Sequence, residues 1–256
     1  MDIGSRAGEA LRAILARNLA EVHRGVEEAA RRAGRDPASV LLLAATKTVA
    51  AEAVALLPSL GVLDAGENRV QEAESKVRAL SDLGLRWHMI GRLQTNKVRR
   101  ALDLFHRTHS VDREDLLEAL AKEAARRGRV VDCLLQVNVS EEATKGGFRP
   151  GAVATALRRA RSLPSLRVTG LMAIPAPAED PEASRPAFRS LRALRDDLRD
   201  GPGDLPDLSM GMSGDYPVAV EEGATILRLG SALFRDLPPG ICGRGAAAGA
   251  APGRTA

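Results

Sequence analysis

Eight short apolar runs, most of them separated by stretches of helical spacing, constrain this chain more than any other feature. The runs occupy 40–46, 61–65, 86–90, 105–111, 130–139, 166–174, 208–212 and 225–230. Between them, 67–80, 113–127, 151–162 and 183–199 are helix-compatible segments. The first run, Val40 to Ala45, is apolar throughout, the pattern of a strand buried on both faces in a parallel sheet. Alternating β and α units without a composition break predict one α/β domain. A (β/α)8 TIM barrel fits both the eight units and the length of 256 residues. An open doubly wound sheet is the competitor, but the runs at both ends carry polar residues at their C-terminal edges rather than a blunted sheet edge. Ahead of the barrel, Leu11, Ile14, Leu15, Leu19, Val22 and Val26 recur at helical spacing within 5–33, predicting an extra N-terminal helix that ends near Gly34.

Aromatics are 2% of the residues, so the core has to be aliphatic. The net charge of +4 is spread as arginines among acidic residues along helical segments, and with so few stacking rings this predicts no nucleic-acid surface. Cys133 and Cys242 have no neighbouring Cys or His at ligand spacing, which argues against a disulfide framework or a metal site. No run approaches the roughly 18 apolar residues of a membrane span, and the N-terminus lacks the apolar centre of a signal peptide, so the expected location is cytoplasmic. The Pro- and Gly-punctuated stretches 175–186 and 200–207 read as loops inside the domain. The barrel is therefore expected over 1–237, followed by a disordered Gly/Ala-rich tail over 238–256.

In a barrel the C-terminal ends of all strands meet on one face, so polar residues just after each run become neighbours. Lys47, one of only five lysines among 37 basic residues, follows the first run directly. It is either a strand-end lysine reaching water or a nucleophilic amine. Asn68 follows the second run, and Ser209-Met210-Gly211-Met212-Ser213 and Arg228-Leu229-Gly230-Ser231 accompany the seventh and eighth. Glycines and hydroxyls at those last two positions expose N–H and O–H donors where this architecture commonly seats a phosphate, and Arg228 adds a cation. A phosphate seat facing a lysine suggests a phosphorylated aldehyde held as a Schiff base; partial burial in the barrel mouth would help the lysine shed its proton. Pyridoxal 5'-phosphate (PLP) and a sugar phosphate in an aldolase both satisfy these demands. No carboxylate accompanies Lys47 on its strand, which weakens the aldolase reading, although Glu67 and Asp215 keep it open.

Several longer motifs then coincide. Leu43 to Thr48, Gly66 to Glu72, Trp87 to Lys97, Gly170 to Pro175, Leu208 to Ser213 and Arg228 to Ser231 together resemble the pyridoxal phosphate homeostasis proteins, the YggS/PROSC family, in the family's order over about residues 10–235. The resemblance implies a single barrel of the alanine racemase type without a C-terminal β domain. It implies PLP on Lys47, Asn68 near the ring, and the phosphate held by Ser213, Gly230, Ser231 or nearby backbone. Arg228 would lie by the ring nitrogen or the phosphate. A cation at the ring nitrogen weakens the ring as an electron sink, which suits storage of the cofactor better than carbanion chemistry. The chain departs from the family at Arg235, where glycine is usual, and in the tail. The implied function is to buffer or deliver PLP without robust catalysis, as a monomer, with apo PLP-dependent enzymes as acceptors. Lys145, in the Gly-rich loop after the fifth run, is either a second amine for handover or a solvated lysine. The alternative is a racemase or decarboxylase on the same barrel. Against it, a tyrosine base opposite Lys47 is hard to assemble from the single Tyr216, and His88, His106 and His109 are the remaining acid/base candidates.

Overall fold

The computed structural model describes residues 6–140, 142, 145–201 and 203–242. Eight parallel strands close into a barrel in sequence order. They are β1 (Leu41–Ala45), β2 (Asp64–Glu67), β3 (Arg86–Met89), β4 (Arg107–Val111), β5 (Val131–Gln136), β6 (Leu166–Met172), β7 (Asp207–Ser209) and β8 (Ile226–Leu229). The seam is a full parallel ladder, with Leu41 beside Ile226 and Ala44 beside Leu229. The expected single barrel with an N-terminal helix is what forms.

The long amphipathic segments fold as α1 (Arg6–Arg32), α3 (Val70–Ala79), α5 (Glu114–Arg126), α6 (Pro150–Arg161) and α7 (Arg185–Leu198). Shorter helices α2 (Ala51–Val54), α4 (Val98–Leu104), α8 (Tyr216–Glu221) and α9 (Ser231–Phe234) complete the outer ring. α1 packs across α8 and α9. There the buried Asn18 amide donates to the carbonyls of Leu233 at 3.0 Å and Arg235 at 2.9 Å, satisfying the end of α9.

Three strands depart furthest from their apolar runs. β2 starts at Asp64 rather than near residue 61, because Gly61 turns with φ +83° and Leu63 stays exposed. Gly66 on that strand faces the barrel interior, where an added Cβ would strike the Leu43 and Ile90 side chains. β7 stops at Ser209 because Gly211, at φ +93°, swings the chain toward α8. β5 ends at Gln136, and Val137 instead bridges to Phe148 across the following loop.

Most of the core lies between strands and helices, with Leu116, Leu135, Phe188 and Leu227 fully buried there. Inside the barrel, Leu41, Leu43, Ala45, Ile90 and Ile226 form a small apolar cluster. Polar side chains also lie buried in this interior, among them Asp64, His88, His109, Ser209 and Arg228. Burial alone would push the Asp64 carboxyl up, but hydrogen bonds from Arg86 and His88 and their charges outweigh it and hold the group well below the usual carboxylate range. A carboxylate depressed in the folded state contributes stability that is complete above its unfolded value of about 3.9 and drains away as pH falls toward the folded value. Urea denaturation between about pH 5 and about pH 3 is thus expected to show a falling midpoint, with a shallower fall in Asp64→Asn.

The expected tail begins with a placed segment. Ile241 O accepts from Ala50 N at 2.8 Å, and Cys242 bridges Val49. Residues 243–256 lie outside the described residues.

Candidate functional site

Lys47 is carried by a short, tightly pinned strand end. The preceding Thr46 is buried, its hydroxyl donating to Glu67 Oε1 at 2.6 Å and its N–H to Gly66 O at 2.9 Å. Lys76, reaching down from α3, donates to both Thr46 O and Glu67 Oε1 at 2.7 Å. Two of the three N–H donors of its amine are therefore engaged. The Lys47 amine makes no hydrogen bond or ion pair among the described residues, and the side chain is exposed rather than partly buried as its strand-end position suggested. Thr48 then turns the chain at φ 66°, left-handed backbone that a β-branched residue adopts only under strain of about 1–2 kcal/mol. Thr48→Gly is expected to leave folding intact and stabilise the chain by about 1 kcal/mol, read as a higher urea midpoint at unchanged slope.

Seven of the ten residues singled out from the sequence, Lys47, Asn68, Met212, Ser213, Arg228, Gly230 and Ser231, line one cavity of about 580 Å³ at the C-terminal mouth of the barrel. That size suits a small cofactor. The other three do not line it. Ser209 is wholly buried beneath it, Met210 packs into the outer core, and Gly211 turns against Ala219 and Leu227. The reason is where β7 ends. The strand stops at Ser209 inside the barrel and the chain turns at Gly211, so only Met212 and Ser213 reach the mouth.

On the side of the mouth facing Lys47, the Ser213 hydroxyl accepts from the N–H groups of Gly230 at 3.2 Å and Ala232 at 2.9 Å. A hydroxyl accepting twice keeps its own proton free to donate. Met212 N donates to Asp215 Oδ1 at 2.7 Å, fixing this turn at the start of α8. At the cavity floor, Arg228 donates to Ser209 Oγ at 2.7 Å and Ala173 O at 2.9 Å. Burial lowers its guanidinium to about 10, partly offset by Asp215, so it stays cationic at neutral pH. The exposed Arg92 and its motif through Lys97 line a neighbouring, larger cavity of about 780 Å³ that shares Asn68 and Arg92 with the first and has Lys97, not Lys47, in its wall.

A family model described as "Alanine racemase, N-terminal domain" matches residues 18–238. A pyridoxal phosphate homeostasis protein of Aquifex aeolicus is 46% identical over 219 residues, covering 85% of this chain and 96% of the relative. One from Pseudomonas aeruginosa is 45% identical over 220 residues, covering 86% and 94%. The chain belongs to the pyridoxal phosphate homeostasis protein family. A solved structure of one similar protein, PipY of Synechococcus elongatus with PLP bound, superposes with a TM-score of 0.75 at 34% identity, covering 86% of this chain and 99% of PipY.

Within this member of the homeostasis family the acid/base candidates stand away from the mouth. Tyr216 packs its phenol against Gly25 of α1. His106 is exposed outside the cavity, and His88 and His109 are buried below it. Lys145 turns its amine to Glu142 Oε1 at 2.8 Å, although the adjacent Gly146 lines the cavity. Asp112 is a lining residue that sequence reasoning missed. It follows the β4 run directly, so the strand-end rule that selected Lys47 would have found it; its carboxylate is held by Arg113 at 2.5 Å and Arg92 at 3.2 Å. Gly91 and Arg92 also line the cavity; they lie in the Trp87 to Lys97 motif, which carried the resemblance without being assigned to the site.

Proposed function

We propose that this protein binds PLP at the barrel mouth and serves intracellular PLP homeostasis as a buffer or donor, without robust catalysis. When bound, PLP would supply an electrophilic aldehyde for a lysine amine. Lys47 provides that amine, Asn68 lies beside the ring, and Ser213, Gly230 and Ser231 receive the phosphate. Arg228 supplies the fixed cation at the floor. The observation that carries this reading is the unengaged Lys47 amine in the same cavity as the Ser213 donor and the Arg228 guanidinium. PLP bound to PipY, a similar protein, supports it.

A racemase or decarboxylase needs a second acid/base group at the reacting carbon. Among the described lining residues the sole carboxylate is Asp112, already held by two arginines. The same reading has the protein act as a cytoplasmic monomer that passes PLP to apo PLP-dependent enzymes. Two free thiols, Cys133 and Cys242, fit a reducing compartment. No described helix is long and apolar enough to cross a membrane. The large exposed apolar side chains among the described residues, Leu63, Val130 and Ile174, are scattered singly, as on a monomer.

Titrating the purified chain with PLP is expected to produce a visible absorption band that borohydride removes, leaving a mass increment on the peptide containing Lys47. A protein that stays colourless, or one that instead cleaves sugar phosphates, would overturn the reading.

A further inference from the structure

Below the cavity, buried polar groups join into one line through the barrel interior. Arg228 Nη1 donates to Ser209 Oγ at 2.7 Å, and Ser209 Oγ lies 2.9 Å from His109 Nδ1. His109 Nε2 lies 3.0 Å from His88 Nδ1, and His88 Nε2 lies 2.8 Å from Asp64 Oδ1. Asp64 also accepts from Arg86 at 2.9 Å and 2.5 Å, and Arg86 reaches the opposite face of the barrel, where its side chain is 49% exposed.

The Asp64 end fixes the direction of the bonds when the two buried imidazoles are neutral. A carboxylate can only accept, and a neutral imidazole donates from one ring nitrogen and accepts at the other. Ser209 then gives its proton to His109 Nδ1, His109 gives the Nε2 proton to His88 Nδ1, and His88 gives the Nε2 proton to Asp64. This arrangement requires both imidazoles to be neutral and Nε2-protonated. An imidazolium at His109 would leave Ser209 accepting from both His109 and Arg228, with its own proton outside the line.

We propose that Ser209, His109, His88 and Asp64 are positioning residues that hold the Arg228 guanidinium at the cavity floor in one orientation. Their role for the cofactor rests on the PLP reading above; the bond order itself does not. Burial depresses both imidazoles, and His88, Arg228 and Arg107 push His109 further down. For His88, Arg107 and His106 act in the same direction, while Asp64 opposes them. A line satisfied throughout explains why a barrel interior can carry two histidines with no solvent access, where an unmatched donor would be costly.

Two measurements on the full chain test this. Without PLP, long-range nitrogen-15 correlation spectra should show His88 and His109 neutral with the proton on Nε2 from about pH 6 to about pH 8. A proton on Nδ1 of either ring, or an imidazolium there, would overturn the proposal. With PLP, Ser209→Ala and His109→Leu should raise Kd about tenfold or more and displace the visible band, whereas His109→Gln, which can accept and donate in the same sense, should restore Kd to within about twofold of wild type. Folded variants with wild-type Kd and band would overturn it. If His109→Leu does not fold, Ser209→Ala, which removes a single oxygen, decides. Failure of the wild-type chain to take up PLP would sink the functional reading alone and leave the tautomer measurement to judge the line.

Discussion

Lys47→Ala is expected to abolish the borohydride-fixed adduct while leaving stability unchanged to within about 0.5 kcal/mol. The exposed amine has no partner to lose, so the loss falls on the cofactor alone. Lys76→Ala is the contrasting variant, since its amine also sits at the β1 end. It is paired with the fully buried Glu67, and removing it strands an uncompensated carboxylate at a cost of about 3–5 kcal/mol. Intact mass after reduction and a urea curve for each variant check both halves. Lys47→Ala should lose the adduct and keep its midpoint; Lys76→Ala should keep an adduct on its folded fraction and lose midpoint. An adduct that survives in Lys47→Ala and disappears in Lys76→Ala would reassign the nucleophile.

The fold was legible because a β/α alternation repeated eight times leaves few topologies, and the apolar runs mark strands well where both faces are buried. The reading slipped where a strand is not apolar. β2 is Asp64-Ala65-Gly66-Glu67, whose polar members are satisfied by partners far along the chain: Asp64 by His88 and Arg86, Glu67 by Lys76 and Thr46. Of those partners only Lys76 lies within a local window, and the others are brought in by the barrel. The same limit governs the site. Residues at strand ends, such as Lys47, Asn68 and Arg228, were accessible to the rule that strand ends converge. The line beneath Arg228 joins β2, β3, β4, β7 and β8, and only the closed barrel brings those strands' inward faces together. His88 was readable as an inward strand residue, but its bond to His109 was not.

Gly91→Ala is expected to damage both fold and site, because the mouth leaves no room for even one methyl group there. An added Cβ would lie 2.4 Å from the carbonyl oxygen of Asn68 and 2.6 Å from its Cα, so the obstacle is backbone rather than a side chain able to rotate away. Gly91 O also accepts from Ser110 Oγ at 2.5 Å, which ties the β3 end to β4 and limits retreat in that direction. The strain therefore has to displace the Asn68 turn, and Asn68 lines the cavity with Lys47. Overpacking of this kind costs about 1–3 kcal/mol and more where the backbone must move. PLP affinity should fall by tenfold or more if Asn68 is displaced by about 1 Å, the scale on which misplacement of a binding group is felt. Gly214→Ala supplies the stability comparison, because a Cβ there meets nothing within 4 Å, and its urea midpoint should match wild type. Equal midpoints and equal PLP affinities for Gly91→Ala and wild type would mean that the Asn68 turn yields freely, and Asn68 would then lose its place beside the ring.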